Sequence, residues 1–165
     1  MFRKLPKKLS LRDFRILIAT WFGTGLLKPA SGTWGTLFAL PFGILMVMYT
    51  DIHFMIAFSI FIFDVGYCGA KEFEELGEHD CSSIVADEVV GMWITMLPLL
   101  LLSFPFPFWF MVLVAFTLFR FFDVLKPWPI SHFDNKKGAF YVMFDDVIGG
   151  VFAMSVLCLL SYLHF

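Results

Sequence analysis

Cysteine is scarce in this chain, and charge is scarcer than in ordinary soluble proteins. The three cysteines, Cys68, Cys81 and Cys158, include no pair at CxxC spacing, which excludes a disulfide framework and a zinc cluster and leaves them reduced and structural. A cysteine-phosphatase loop is excluded too, because it needs arginine six positions beyond the cysteine, and those positions hold Glu74, Asp87 and His164. No Asp-x-Asp pair, no Gly-Lys-Ser/Thr and no GxGxxG occurs, so haloacid-dehalogenase, P-loop and Rossmann chemistries lack their motifs. The Pro-Ser-Gly-His signature of type-2 lipid phosphatases and the aspartate array of CDP-alcohol transferases are also missing. Charged residues make up only 16% of the chain, which argues against both disorder and nucleic-acid binding.

What fills the 165 residues is apolar: 59% hydrophobic, with 23 phenylalanines and a mean hydropathy of +0.82, far beyond a soluble domain. Five stretches approach the roughly 20 residues that a membrane span requires: residues 34–49, 52–70, 89–102, 106–122 and 147–163. The third is short unless it reaches back through Glu88. The pattern predicts an all-α, polytopic membrane helical bundle of about five transmembrane helices, one domain over residues 1–165. The first fifteen residues carry six bases, Arg3, Lys4, Lys7, Lys8, Arg12 and Arg15, against Asp13 alone. Residues 9–22 are accordingly expected to form a basic amphipathic helix on anionic lipid. With that terminus inside, five spans place all twelve Lys and Arg on the cytoplasmic side and leave residues 50–51 and 103–105 outside without any.

Four polar clusters interrupt this background, all on the predicted cytoplasmic face, where ionisable groups near hydrocarbon call for an explanation. GTGLLKPASGTWGT (23–36) reads either as a turn with an N-cap at Ser31 or Thr33, or as a glycine loop whose helix-start amides suit a phosphate. Asp87-Glu88 opens an apolar stretch; paired carboxylates suit a hard cation such as magnesium, and a single acid there would merely complement the helix dipole. Gly91, one turn on, is expected to leave room for a headgroup. Arg120 and Asp123 stand three apart, followed by Lys126-Pro127-Trp128-Pro129, so a local salt bridge and a snorkelling lysine compete with a metal carboxylate and two phosphate-binding cations. Asp145-Asp146 is a second acidic pair, expected at a helix mouth. His79 and Asp80 read as part of a solvated helix and turn, and His53, His132 and His164 show no ligand spacing. Asp64 either lines the site or faces the interface. A small transporter with a relay of acids is the alternative class, although its acids would lie at mid-bilayer, with internal repeats that are missing here.

Taken together and in order, GTGLLKPASGTWGT (23–36), DEVVGMWIT (87–95), FRFFDVLKPWPI (119–130) and FDDVIGG (144–150) resemble the bacterial phosphatidylglycerophosphatase A family over about residues 19–153. The family often has Pro before Gly-Thr and Ser after the later Gly, where this chain has Ser31 and Thr36, and Ala is common where Gly149 stands. The resemblance implies a Mg2+-dependent lipid phosphatase of the bacterial cytoplasmic (inner) membrane that converts phosphatidylglycerophosphate to phosphatidylglycerol and inorganic phosphate. Its partners would be membrane lipids, with no nucleic acid and no protein partner inferable. Carried onto matching positions, it makes Asp87, Glu88, Asp123, Asp145 and Asp146 the candidate metal-binding and catalytic acids, and Thr33, Arg120 and Lys126 the candidate phosphate contacts. Water or an aspartate remains open as the nucleophile.

Overall fold

The structure is a computed structural model that describes residues 3–77 and 82–163; the readings placed on His79, Asp80, Cys81 and His164 lie outside them. Among the described residues the secondary structure is entirely helical. A short helix α1 (Phe14–Ala19) is followed by a 3₁₀ turn (Thr24–Leu26), then α2 (Ser31–Tyr49), α3 (Ile52–Glu75), α4 (Ala86–Met96), α5 (Pro98–Leu101), α6 (Phe108–Leu125), α7 (Ile130–Asp134) and α8 (Ala139–Tyr162).

Four of these, α2, α3, α6 and α8, are long and apolar enough to cross a membrane. Their ends follow local chemistry. Asp51 caps α3 by accepting the Phe54 N–H at 3.0 Å, and Pro107 precedes α6, whose end is fixed by Lys126 in the left-handed region (φ 42) and by Pro127, which cannot continue it. Glu74 of α3 accepts the Ala139 N–H at 2.9 Å, so α8 starts well before Asp145. The second acidic pair therefore lies inside α8 rather than at its mouth.

The third apolar stretch differs from the other four. Its helix α4 is only 11 residues long and stops where Pro98, which has no N–H to donate, opens α5. Together α4 and α5 cover about 24 Å at 1.5 Å per residue, so the chain still crosses the bundle. Val89, Met92, Trp93 and Met96 are fully buried, because α2, α3, α6 and α8 all pack against α4. An interior helix and a lipid-facing one read alike in hydropathy. The indole of Trp93 donates to Ala39 O at 3.0 Å and ties α4 to α2.

Small residues let the helices close up, as expected where lipid offers no hydrophobic drive for helix association. At the crossing of α4 and α8, Gly91 lies against the Phe119 ring and Asp146 O, and Gly150 against Gly91 O. The space that Gly91 leaves is therefore taken by α6 and α8, not by a headgroup. The N-terminal segment also differs from the expected lipid-surface helix over residues 9–22. Its helix is six residues long and turns Ile16, Ile18 and Ala19 into the protein, where Gly69 of α3 admits the Arg15 carbonyl and Arg15 pairs with Glu72 at 2.5 Å. The apolar face has a protein partner in α3.

Alternation of the long helices puts the α2 start, the α3 end, the α4 start, the α6 end and the α8 start at one end of the bundle, with all the bases of the described chain. At the other end Ser161 Oγ donates to Ser103 O at 2.8 Å.

Candidate active site

At the base-rich end a cleft of about 540 Å³ opens between the helix ends. It is lined by Ser31 from α2, Asp87 and Glu88 from the first turn of α4, Asp123 and Lys126 from the end of α6, Asp134 from α7, and Asp145 and Asp146 from α8. All five acids singled out in the sequence meet here. The reason is the α4–α8 crossing: Gly91 and Gly150 bring the two backbones together, and the acids one turn away on each helix come with them.

Within the cleft, Asp87, Glu88 and Asp146 form the tightest group, each offering a carboxylate oxygen within 4.8 Å of the others. Asp87 and Asp146 are 8% and 3% exposed, and Glu88 Oε2 and Asp146 Oδ1 are buried with no hydrogen-bond partner. Buried carboxylate oxygens without a donor are costly, and three carboxylates this close repel one another unless a cation or proton intervenes. The donor set, all hard oxygen, fits a hard divalent cation.

The two predicted phosphate-binding cations are each held by acids; Lys126 lines the cleft together with Lys136 and Lys137, whereas Arg120 lies behind Asp123, outside the lining. Arg120 pairs with Asp123 on the same face of α6, both largely buried, and its Nη1 reaches Thr36 Oγ1 of α2 at 3.4 Å. The salt bridge and the clustered site are both present, so the two readings of this motif do not exclude each other. Lys126 Nζ pairs with Asp134 and with Asp145 Oδ2, the latter at 2.7 Å. Burial disfavours the charged ammonium, but the hydrogen bonds to Asp134 and Asp145 outweigh it and raise the Lys126 pKa above its ordinary value.

The glycine loop enters through the start of α2. A Cβ on Gly32 would strike the Glu88 carboxylate and lie 3.2 Å from Arg120 Nη1, so the α2 N-terminus rests directly over both. The residue at N-cap is Ala30, with no side-chain cap, rather than Ser31 or Thr33. Ser31 lines the cleft, whereas Thr33 is half-buried on the first turn of α2 beside it, outside the lining. Ser31, Ser82, Asp134, Asn135, Lys136 and Lys137 are the polar lining residues that sequence reasoning did not assign to the site. Asp134 lies eight residues past Lys126 across two prolines that end one helix before the next begins, so helical periodicity does not link them. Asp64 is exposed on the outer face of α3 and takes no part.

No solved structure matches this chain. Among proteins of known name, it is 39% identical over 158 residues to phosphatidylglycerophosphatase A of Haemophilus influenzae, covering 94% of each chain. It is 36% identical over 147 residues to phosphatidylglycerophosphatase A of Escherichia coli, covering 88% of this chain and 83% of that one. A Bacteroides thetaiotaomicron protein provisionally named a phosphatidylinositol-3-phosphatase is 33% identical over 148 residues, 84% of this chain and 87% of its own. The family model described as Phosphatidylglycerophosphatase A matches residues 17–161, spanning all four polar motifs and every residue of the acidic cleft, and the chain belongs to that family.

Proposed function

We propose that this phosphatase hydrolyses the terminal phosphate monoester of phosphatidylglycerophosphate, releasing phosphatidylglycerol and inorganic phosphate, with Mg2+ as its cofactor and residues 1–165 acting as one membrane domain. The observation that carries the reading is the trio Asp87, Glu88 and Asp146, with Glu88 Oε2 and Asp146 Oδ1 buried and unpartnered, in a chain of this family. These three would hold the ion, with Asp123 and Asp145 as the further acids of the catalytic wall. Bound magnesium supplies charge neutralisation and Lewis-acid polarisation of a phosphoryl oxygen.

The chain's own residues do the rest. Arg120 and Lys126, both fixed by ion pairs at the cleft, bind the phosphate and offset charge that grows on its oxygens in the transition state. Thr33, with the first amides of α2, adds hydrogen-bond donors. Water is the proposed nucleophile: its oxygen bonds to phosphorus, the ester P–O bond breaks, one of its protons goes to the departing glycerol oxygen and the other stays on the released hydrogen phosphate. Quenching with 32P-labelled substrate checks this step, since a trapped acyl phosphate would replace water by an aspartate in the first displacement.

The gathering of basic residues at the cleft end supports a cytoplasmic site in the bacterial inner membrane, with Lys- and Arg-free segments facing outward. The decisive assay is phosphate release from phosphatidylglycerophosphate in detergent, with magnesium or with EDTA. Release that needs magnesium is expected. Folded protein that gives none in either condition overturns the reading.

A further inference from the structure

The two members of the Asp145-Asp146 pair are adjacent in sequence and differ in what their oxygens do. Neighbours on a helix point about 100° apart, and here the difference decides their partners. Asp146 joins the Asp87–Glu88 group and keeps Oδ1 buried and unpartnered. Both oxygens of Asp145 are engaged: Oδ1 accepts the Asp146 N–H at 3.0 Å, and Oδ2 accepts from Lys126 Nζ at 2.7 Å. The same ammonium donates to Asp134, at the end of α7. Lys126 itself sits in the left-handed region, φ 42 and ψ 56, a conformation rare for residues with a Cβ and retained where surrounding structure over-determines it.

We propose that Asp134 and Asp145 are positioning residues that clamp the Lys126 ammonium over the cleft, so that Asp145 serves the lysine and not the metal. An ammonium on a flexible four-carbon stem would otherwise collapse onto the unpartnered oxygens of Glu88 and Asp146 and compete with the cation for them. Two carboxylates outside that trio, one on each flanking helix, hold the charge at a fixed place and leave its third N–H for a phosphoryl oxygen. The inference rests on the phosphatase reading for what Lys126 contacts, but the assignment of Asp145 is independent of the substrate.

Two measurements on full-length protein in detergent test it. The first is Mg2+ binding by calorimetry, with the metal alone. Asp146→Asn is expected to weaken binding by about tenfold or more and Asp145→Asn by less than about threefold; an Asp145→Asn loss equal to that of Asp146→Asn overturns the clamp. The second is a double-mutant cycle in kcat/KM at saturating magnesium. Asp145→Asn and Asp134→Asn should each raise KM in the wild-type background and have no further effect once Lys126 is Met. Full additivity with Lys126→Met overturns the proposal. Absence of turnover on phosphatidylglycerophosphate would remove the substrate reading, while calorimetry still judges the clamp.

Discussion

Replacing Gly91 by Ala tests whether the fold and the site share one cause. A Cβ at that position would press into the Phe119 ring and lie 2.6 Å from Asp146 O. Ordinary contact begins at 3.4 Å, so the α4 and α8 backbones must part by about 0.8 Å at their crossing, since a main-chain carbonyl cannot rotate away as a side-chain tip can. Overpacking of this kind costs about 1–3 kcal/mol. The functional effect should be larger than that figure suggests. Ligands on two helices must meet an ion within about 0.2 Å of ideal distances, and the displacement separates Asp87 and Glu88 on α4 from Asp146 on α8. Gly91→Ala is therefore expected to fold with a lowered Tm and to lose Mg2+ affinity by about tenfold or more.

Gly149→Ala is the matched control. Its nearest neighbour would be Ile130 Cδ1 of α7 at 4.0 Å, so the same methyl one residue off the seam should change stability by no more than about 0.5 kcal/mol and leave metal binding intact. Thermal unfolding in detergent and calorimetric Mg2+ titration read the two effects separately. Wild-type metal affinity in a folded Gly91→Ala protein would refute the claim that this crossing sets the ligand geometry.

Asp123→Asn should retain the fold and lower kcat by at least about 10–100-fold, because an amide does not balance Arg120 and is a poorer ligand for a hard cation; normal turnover in a phosphate-release assay would make Asp123 structural. Burial and the Asp134 and Asp145 hydrogen bonds together leave the Lys126 pKa raised, so its charged contribution is complete below the unfolded lysine value of about 10.4 and is lost only as pH rises through the higher folded value. The alkaline limb of the pH–rate profile up to about pH 10 should accordingly keep its position in Lys126→Arg, whatever the rate; a limb that moves would show that Lys126 titrates lower. At the opposite end, Ser161→Ala removes the 2.8 Å bond to Ser103 O and is expected to cost about 0.6–1 kcal/mol in stability with kcat/KM unchanged, measured by thermal unfolding and phosphate release.

The sequence is most legible where a residue's chemistry conflicts with its surroundings. Acids in apolar stretches stand out, and every one of Asp87, Glu88, Asp123, Asp145 and Asp146 reaches the cleft. The long lipid-facing helices are legible for the related reason that about 20 apolar residues have few other uses. The third stretch is less so, since Val89 through Met96 would be equally apolar facing lipid or facing α2, α3, α6 and α8, and only the burial of Trp93 and Met92 tells the two apart. The N-terminal segment misleads in the same way: an amphipathic pattern records that one face is covered, without recording that Gly69 of α3 makes room for the protein to cover it.

Pairings are the part that spacing hides. Arg120 reaches Thr36 across 84 residues, and Lys126 reaches Asp134 around a turn with two prolines, so neither contact leaves a periodic trace. The Asp145-Asp146 pair shows the limit most sharply. Composition treats the two as equivalent, and a helix rotates one onto Lys126 and the other toward Glu88. Which acid joins the Asp87–Glu88 group is decided by the rotation of α8 about its own axis. That rotation is set six ångströms up the helix, where Gly150 lets α8 lie against the carbonyl of Gly91 at a contact of 2.5 Å for any added Cβ, about four residues or one turn from Asp146. The division of labour between adjacent carboxylates thus depends on a glycine seam, and substitutions there should draw Asp146 away from Asp87 and Glu88 before they unfold the bundle.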